Sequence, residues 1–232
     1  MSAKKIVLFD LDDTILDFHT AERRALQGAF EELGIPADEA LLRRYSEINL
    51  FCWRQLERGA MTRGEVLVGR FEMLFAEKGI DCRPELAQEK YEERLAVGHY
   101  FVPGAPELLE ELQNDYDLYI ISNGNLHIQE SRIASAGIAP YFRGIFISEL
   151  IGANKPSREF FEACFAQIPG FRREDALVVG DSLSSDIQGG INAGVKTCWF
   201  NPSGAAPEGE LHPDFSFSAL GELPALLKEI FA

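Results

Sequence analysis

Cysteine is scarce in this chain, and the four present, Cys52, Cys82, Cys164 and Cys198, are far apart. No CxxC pair occurs among them, so they fit buried reduced thiols better than a disulfide framework or a zinc site. Histidine is equally sparse: His19, His99, His127 and His212 have no metal-ligand spacing, and none is expected in catalysis. Long apolar runs are missing too. The N-terminal apolar stretch, residues 6–9, is cut off by Asp10, too short for a signal peptide. No stretch approaches the roughly 20 apolar residues of a membrane span. Basic residues are outnumbered, 22 Lys and Arg against 37 Asp and Glu, for a formal net charge of -15. Such a field repels nucleic acid and anionic membranes, and neither is expected as a partner. The chain is expected to be cytoplasmic and a monomer or weak homodimer.

What is present is an ordinary globular composition, 46% hydrophobic and 25% charged over 232 residues. That length suits one large domain, or a core domain with a smaller insertion. Short apolar runs at residues 4–9, 118–121, 145–147, 177–179 and 197–200 alternate with helical periodicity. The pattern predicts βα units and a mostly parallel sheet, an α/β fold. A last strand is expected near residues 215–217, after a Pro- and Gly-rich loop over 201–213, with a final helix through Leu226 and Leu227. Between the first two runs lie about a hundred residues with no convincing strand signal. They predict helices: one carrying Leu26, Phe30 and Leu33 on one face, then 38–57, 62–79 and 84–97, punctuated by Gly34, Gly59 and Pro84. Residues 1–16 and 100–232 are therefore expected to form the α/β core and residues 17–99 a helical cap. Ligands of such sheets bind outside the carboxyl ends of the strands, so a cap hung from that edge would cover the site.

Every strand end delivers a polar group to that edge. Asp10-Leu11-Asp12-Asp13-Thr14 follows the first strand, Ser122-Asn123-Gly124 the second, Lys155-Pro156 precedes a helix, and Gly180-Asp181-Ser182 follows the fourth with Asp186 just beyond. The set suits cleavage of a phosphate ester of a small metabolite. A carboxylate, Asp10, can attack phosphorus and form an aspartyl-phosphate. Carboxylate and phosphate repel each other, and Mg2+ held by Asp10 and Asp181 would remove that barrier. Lys155 would add positive charge against the phosphoryl oxygens, while Ser122 and the N–H groups of Asn123 and Gly124 would donate hydrogen bonds to them. Asp12 is placed to protonate the leaving oxygen and later to take a proton from water. Thr14 and Asp186 are read as supporting residues, Asp186 holding Lys155 or a metal-bound water.

These four segments, in this order and over essentially the whole chain, resemble the motifs of the haloacid dehalogenase superfamily. The resemblance implies a Rossmann-like core with a helical cap inserted after the first motif, Asp10 as nucleophile, and Mg2+ bound by Asp10, Asp181 and the Asp12 main-chain carbonyl. Within the superfamily the chain resembles the pyrimidine 5'-nucleotidases. Phe51-Cys52-Trp53 through Gly59-Ala60-Met61-Thr62 carries that likeness in the cap, and Asp186-Ile187-Gln188-Gly189-Gly190-Ile191-Asn192-Ala193-Gly194 with Thr197-Cys198-Trp199 and Asn201 carries it in the core. A nucleoside monophosphate is then the expected substrate, with a sugar phosphate or phosphoglycolate as the alternative. Trp53 and Arg54, with Asn49 nearby, are candidate substrate contacts, since aromatic faces stack on bases. A dehalogenase would need no acid at Asp12, and that class usually lacks this second aspartate. A signalling module that keeps its aspartyl-phosphate would need neither the long insert nor Asp12.

Overall fold

The computed structural model describes residues 4–206 and 211–232, so residues 207–210 of the expected loop lie outside the described residues. Among the described residues six strands, β1 (Lys5–Phe9), β2 (Tyr116–Ser122), β3 (Gly144–Ile147), β4 (Ala176–Gly180), β5 (Lys196–Phe200) and β6 (Phe215–Phe217), form one sheet in the order β3-β2-β1-β4-β5-β6. Every neighbouring pair is parallel. Four helices, α1 (Phe18–Glu32), α2 (Glu39–Glu57), α3 (Arg63–Lys78) and α4 (Pro84–Leu95), follow β1. The remainder are α5 (Ala105–Leu112), α6 (Leu126–Ala136), α7 (Ser148–Ile151), α8 (Arg158–Phe165), α9 (Gln188–Ala193) and α10 (Leu223–Ile230). The chain divides into two compact units, one of Met1–Asp17 with Tyr100–Ala232 and one of Phe18–His99.

In the sheet unit, the strands read as continuous apolar runs because both faces are covered. Alternate residues feed two cores. Val7, Phe9, Leu118, Ile120, Leu177 and Val179 join Leu108, Leu109 and Leu112 of α5 and Leu223 and Leu227 of α10 on one face. Ile6, Leu8, Tyr119, Ile121 and Val178 join Phe160, Phe161 and Phe165 of α8 on the other. Burying each such side chain fully contributes about 1.5–3 kcal/mol. Strand β2 begins earlier than the apolar run alone suggests, because the ladder with β1 extends from Lys5 opposite Tyr116 to Phe9 opposite Ile120.

In the helical unit, local signals set the helix ends. The Asp38 side chain accepts the Leu41 N–H to start α2, and Thr62 with Glu65 forms a reciprocal capping box at the start of α3. Gly79 ends α3 in the left-handed conformation that costs glycine least. Phe30, Tyr45, Phe71, Phe75 and Tyr91 pack as an aromatic cluster. A buried polar chain runs beside it. The Glu22 carboxylate accepts from Asn49 Nδ2 at 2.6 Å and from the Ser46 hydroxyl. Arg70 donates to Asn49 Oδ1 at 2.7 Å and to Gln88 Oε1 at 2.8 Å, with its guanidinium 5.0 Å from the Tyr91 ring centroid. Burial raises the pKa of Glu22, and the Ser46 and Asn49 hydrogen bonds and the Arg70 charge oppose that rise.

The Ser46 and Asn49 hydrogen bonds hold the Glu22 carboxylate first, and the Arg70 charge, relayed through Asn49, adds to them. Arg70→Met should destabilise the helical unit by about 1–3 kcal/mol, the cost of leaving the buried Asn49 and Gln88 acceptors unsatisfied. Denaturant unfolding followed by circular dichroism would measure it, and Glu22→Gln in the same background should recover part of the loss.

Candidate active site

The site grows from the carboxyl ends of three adjacent strands. Phe9, the last residue of β1, lies opposite Ile120 of β2 and Val179 of β4, so the residues that follow these strands converge. Asp10 donates its N–H to the Val179 carbonyl at 2.8 Å, which carries it one step beyond β1 with its side chain buried. The chain then folds back tightly. Ile15 and Leu16 donate to the Leu11 carbonyl at 3.0 and 2.9 Å, and Asp13 donates to the Leu16 carbonyl at 2.7 Å. Asp13 sits at φ 58, a left-handed conformation that aspartate tolerates better than most side chains. The fold-back buries Thr14, whose Oγ1 donates to Asp181 Oδ1 at 3.5 Å.

Lys155 arrives from the loop between α7 and α8 and is locked by Asn123. The Asn123 side chain accepts the Lys155 N–H and donates to the Lys155 carbonyl, both at 2.9 Å. The peptide between Lys155 and Pro156 is cis. The Lys155 ammonium, 2% exposed, has its three donors placed: to Asp10 Oδ1 at 2.6 Å, to Asp186 Oδ1 at 2.7 Å and to the Ile121 carbonyl at 2.9 Å. Asp186 is turned toward the lysine because its other oxygen accepts the Ser182 N–H at 3.1 Å. Gly180 makes room for it: a Cβ there would run into the Asp186 carboxyl group.

Charge is unbalanced at this centre. Ligand oxygens of Asp10, Asp181 and Asp186 all lie within 4.8 Å of one another, against the single ammonium of Lys155. Burial raises the Asp10 pKa well above the ordinary aspartate value; Lys155 opposes the rise, and Asp186 and Asp12 reinforce it. Burial raises Asp181 in the same way, with Asp10 and Asp186 adding to it. Burial works against the Lys155 charge, yet Asp10 and Asp186 outweigh it and its pKa ends above the ordinary lysine value. A crowded set of carboxylate oxygens short of positive charge fits a hard divalent cation such as Mg2+, which prefers oxygen ligands.

Two expected residues have partners on or next to α6 in this structure. The Asp12 carboxylate turns to α6, where it pairs with Arg132 and accepts from Gln129 Nε2 at 2.5 Å. Its side chain is outside the three-carboxylate cluster. The Gly124 N–H donates to Ser122 Oγ at 3.1 Å, so in this structure it orients the hydroxyl, and the absent Cβ leaves space for the Gln129 side chain. Trp53 and Arg54 lie on α2 of the helical unit; the Trp53 ring is faced by the Arg63 guanidinium at 5.7 Å, and Arg54 is exposed. Asn49 is committed to Glu22 and Arg70 inside that unit. Gln129 and Arg132 were not expected at the site. Their three-residue spacing on a helix could equally mark a solvated face, and only their burial, 1% and 0% exposed, reveals the inward direction.

A lysine-bridged carboxylate cluster at the carboxyl edge of a doubly covered parallel sheet fits an enzyme that works on phosphate esters through a carboxylate. This chain belongs to the haloacid dehalogenase-like hydrolase family, whose pattern matches residues 4–194. It is 42% identical over 227 residues to the HAD-hydrolase YfnB of Bacillus subtilis, covering 98% of this chain and 97% of that one. The crystal structure of YfnB bound to magnesium superposes with a TM-score of 0.92, covering 98% of this chain and 100% of that one at 41% identity. The pyrimidine 5'-nucleotidase PynA of Streptococcus pneumoniae is 41% identical over 199 residues, 85% of this chain and 84% of its own. The pyrimidine 5'-nucleotidase YjjG of Escherichia coli is 33% identical over 222 residues, 95% of this chain and 96% of its own. Among the described residues no helix is long and apolar enough to cross a membrane.

Gly180→Ala tests how tightly the cluster is built. The added methyl must displace Asp186 from Lys155, and the expected cost is about 1–3 kcal/mol. Thermal or denaturant unfolding would measure it; a neutral substitution would mean that Asp186 is free to move aside.

Proposed function

We propose that this hydrolase dephosphorylates nucleoside 5'-monophosphates, pyrimidine nucleotides foremost, in a Mg2+-dependent reaction through an aspartyl-phosphate on Asp10. The observation that carries the reading is the Lys155 ammonium shared between Asp10 and Asp186 beside Asp181. Lys155 engages Asp10 at Oδ1, which leaves Oδ2 as the attacking oxygen. Asp10, Asp181 and the Asp12 main-chain carbonyl would hold Mg2+, with Asp186 close by. Bound there, the ion supplies positive charge that offsets the repulsion between carboxylate and phosphate.

In the first step Oδ2 of Asp10 bonds to phosphorus as the bond from phosphorus to the leaving oxygen breaks. That oxygen takes a proton from Asp12, so an alcohol departs. Water then attacks the phosphoryl group, Asp12 accepts its proton, and Asp10 is released with inorganic phosphate. Lys155 stays charged throughout and faces the developing negative charge, while the Ser122 hydroxyl donates to a phosphoryl oxygen. The names of PynA and YjjG support a pyrimidine nucleotide as substrate. Trp53 and Arg54 on α2 are the residues we assign to base recognition.

A panel of phosphomonoesters assayed with Mg2+ tests the reading: pyrimidine and purine monophosphates, sugar phosphates and phosphoglycolate. Pyrimidine monophosphates are expected to give the highest kcat/KM; a sugar phosphate ranking first would leave the phosphatase chemistry standing and remove the nucleotide. Asp10→Asn, which keeps size and hydrogen bonding but loses the nucleophile, should abolish turnover on every substrate without unfolding the protein. Wild-type rates from that variant would exclude covalent catalysis at Asp10.

A further inference from the structure

Both oxygens of the Asp12 carboxylate are held by one face of α6. Arg132 Nη1 pairs with Oδ1, and Gln129 Nε2 donates to Oδ2 at 2.5 Å. The two holders are themselves joined, Arg132 Nη1 donating to Gln129 Oε1 at 2.9 Å. Their spacing of three residues puts them one turn apart on the same side of the helix. The Gln129 amide nitrogen has a second acceptor, Ser122 Oγ, at 2.8 Å. Ser122 Oγ therefore receives two N–H groups, one from Gln129 and one from Gly124. A hydroxyl has one hydrogen of its own, so with its acceptor side occupied it can face a ligand only as a donor.

An arginine that is 0% exposed is costly to bury unless something is gained by its partner. Here the partner is a carboxylate whose side chain is still 27% exposed. The pair thus fixes the direction of a carboxylate that solvent still reaches, two residues from Asp10.

We propose that Gln129 and Arg132 are positioning residues of the reaction: together they aim the Asp12 carboxyl group for proton transfer, and Gln129 also sets the Ser122 hydroxyl as a donor. The proposal rests on the reading of Asp12 as the proton carrier. An alkyl phosphate needs that proton, because the electron pair of the broken bond stays on an alkoxide oxygen. An aryl phosphate such as p-nitrophenyl phosphate leaves as a stable phenolate and needs it far less.

The experiment compares kcat/KM for p-nitrophenyl phosphate and for the best alkyl phosphate in wild type, Gln129→Met, Arg132→Lys and Asp12→Asn. This parameter covers the steps up to phosphoryl transfer onto Asp10, so it isolates the leaving-group proton. Misdirecting an acid by about an ångström costs on the order of a hundredfold. Arg132→Lys is accordingly expected to lose about 10- to 100-fold on the alkyl substrate and less than about threefold on the aryl one, whereas Gln129→Met is expected to lose on both, because the Ser122 donor serves both, and about tenfold more on the alkyl ester. The ratio of the two substrates is read within one sample, so partial misfolding lowers both alike and leaves it unmoved. Equal losses on both substrates, or none, from these variants while Asp12→Asn loses selectively on the alkyl ester would overturn the positioning role alone. If Asp12→Asn shows no alkyl-selective loss, Asp12 is not the proton carrier and the underlying reading fails with it.

Discussion

The ammonium of Lys155 is the interaction on which the sheet edge is organised. It spends one donor on Asp10 beyond β1, one on the Ile121 carbonyl near the end of β2, and one on Asp186 in the segment after β4. Three separate stretches of chain are therefore tied at one buried charge. Burying that charge opposes folding, and the nearby carboxylates more than offset it, so the lysine stays protonated. The same arithmetic leaves the carboxylates under-compensated, with Asp10 and Asp181 both raised by burial and by their acidic neighbours. Such carboxyl groups are neutralised either by taking up protons or by a cation among them. The overall formal charge of -15 sharpens that demand, since the rest of the protein supplies no general attraction for an anionic substrate.

The fold makes this crowding affordable. A parallel sheet covered on both faces hides its backbone hydrogen bonds and its apolar side chains, and leaves polar groups only where strands end. Here β1 lies between β2 and β4, so three ends meet at one place. The fixed elements around them are dense: Asn123 clasps the Lys155 backbone, Ser182 turns Asp186, and the fold-back after Asp10 buries Thr14 against Asp181. Every one of these supports is a main-chain or short side-chain contact, which gives little room for relaxation when one member changes.

The sheet was legible in the sequence because fully buried strands leave an unmistakable mark, a short apolar run bounded by turn residues. The residues at the strand ends were legible for the same reason, since their position follows once the strands are known. Asp10, Ser122 and Asp181 each sit next to such a run, and the structure brings them to one edge together with Lys155 from the loop between α7 and α8. What the sequence could not convey is the direction of side chains on helices and in loops. Nothing in the spacing of Gln129 and Arg132 says that this face of α6 turns inward, and nothing in Asp12 says that its carboxylate points to α6 while Asp186 joins Asp10 and Asp181. Asn49 illustrates the opposite limit: a polar residue near Trp53 invited a substrate role, and it is spent on Glu22 and Arg70 inside the helical unit.

The charge imbalance at the site is the central claim, and titration of the individual carboxyl groups measures it directly. Carboxyl-carbon NMR of the Mg2+-free protein should give midpoints for Asp10 and Asp181 above the ordinary aspartate value of 3.8. Groups raised in this way stabilise the metal-free fold most below their ordinary value and less as pH climbs through the raised one. Adding Mg2+ should bring both midpoints down, because a cation bound to carboxylates competes with their protons. Midpoints at or below 3.8 without Mg2+, or midpoints indifferent to the ion, would contradict the account.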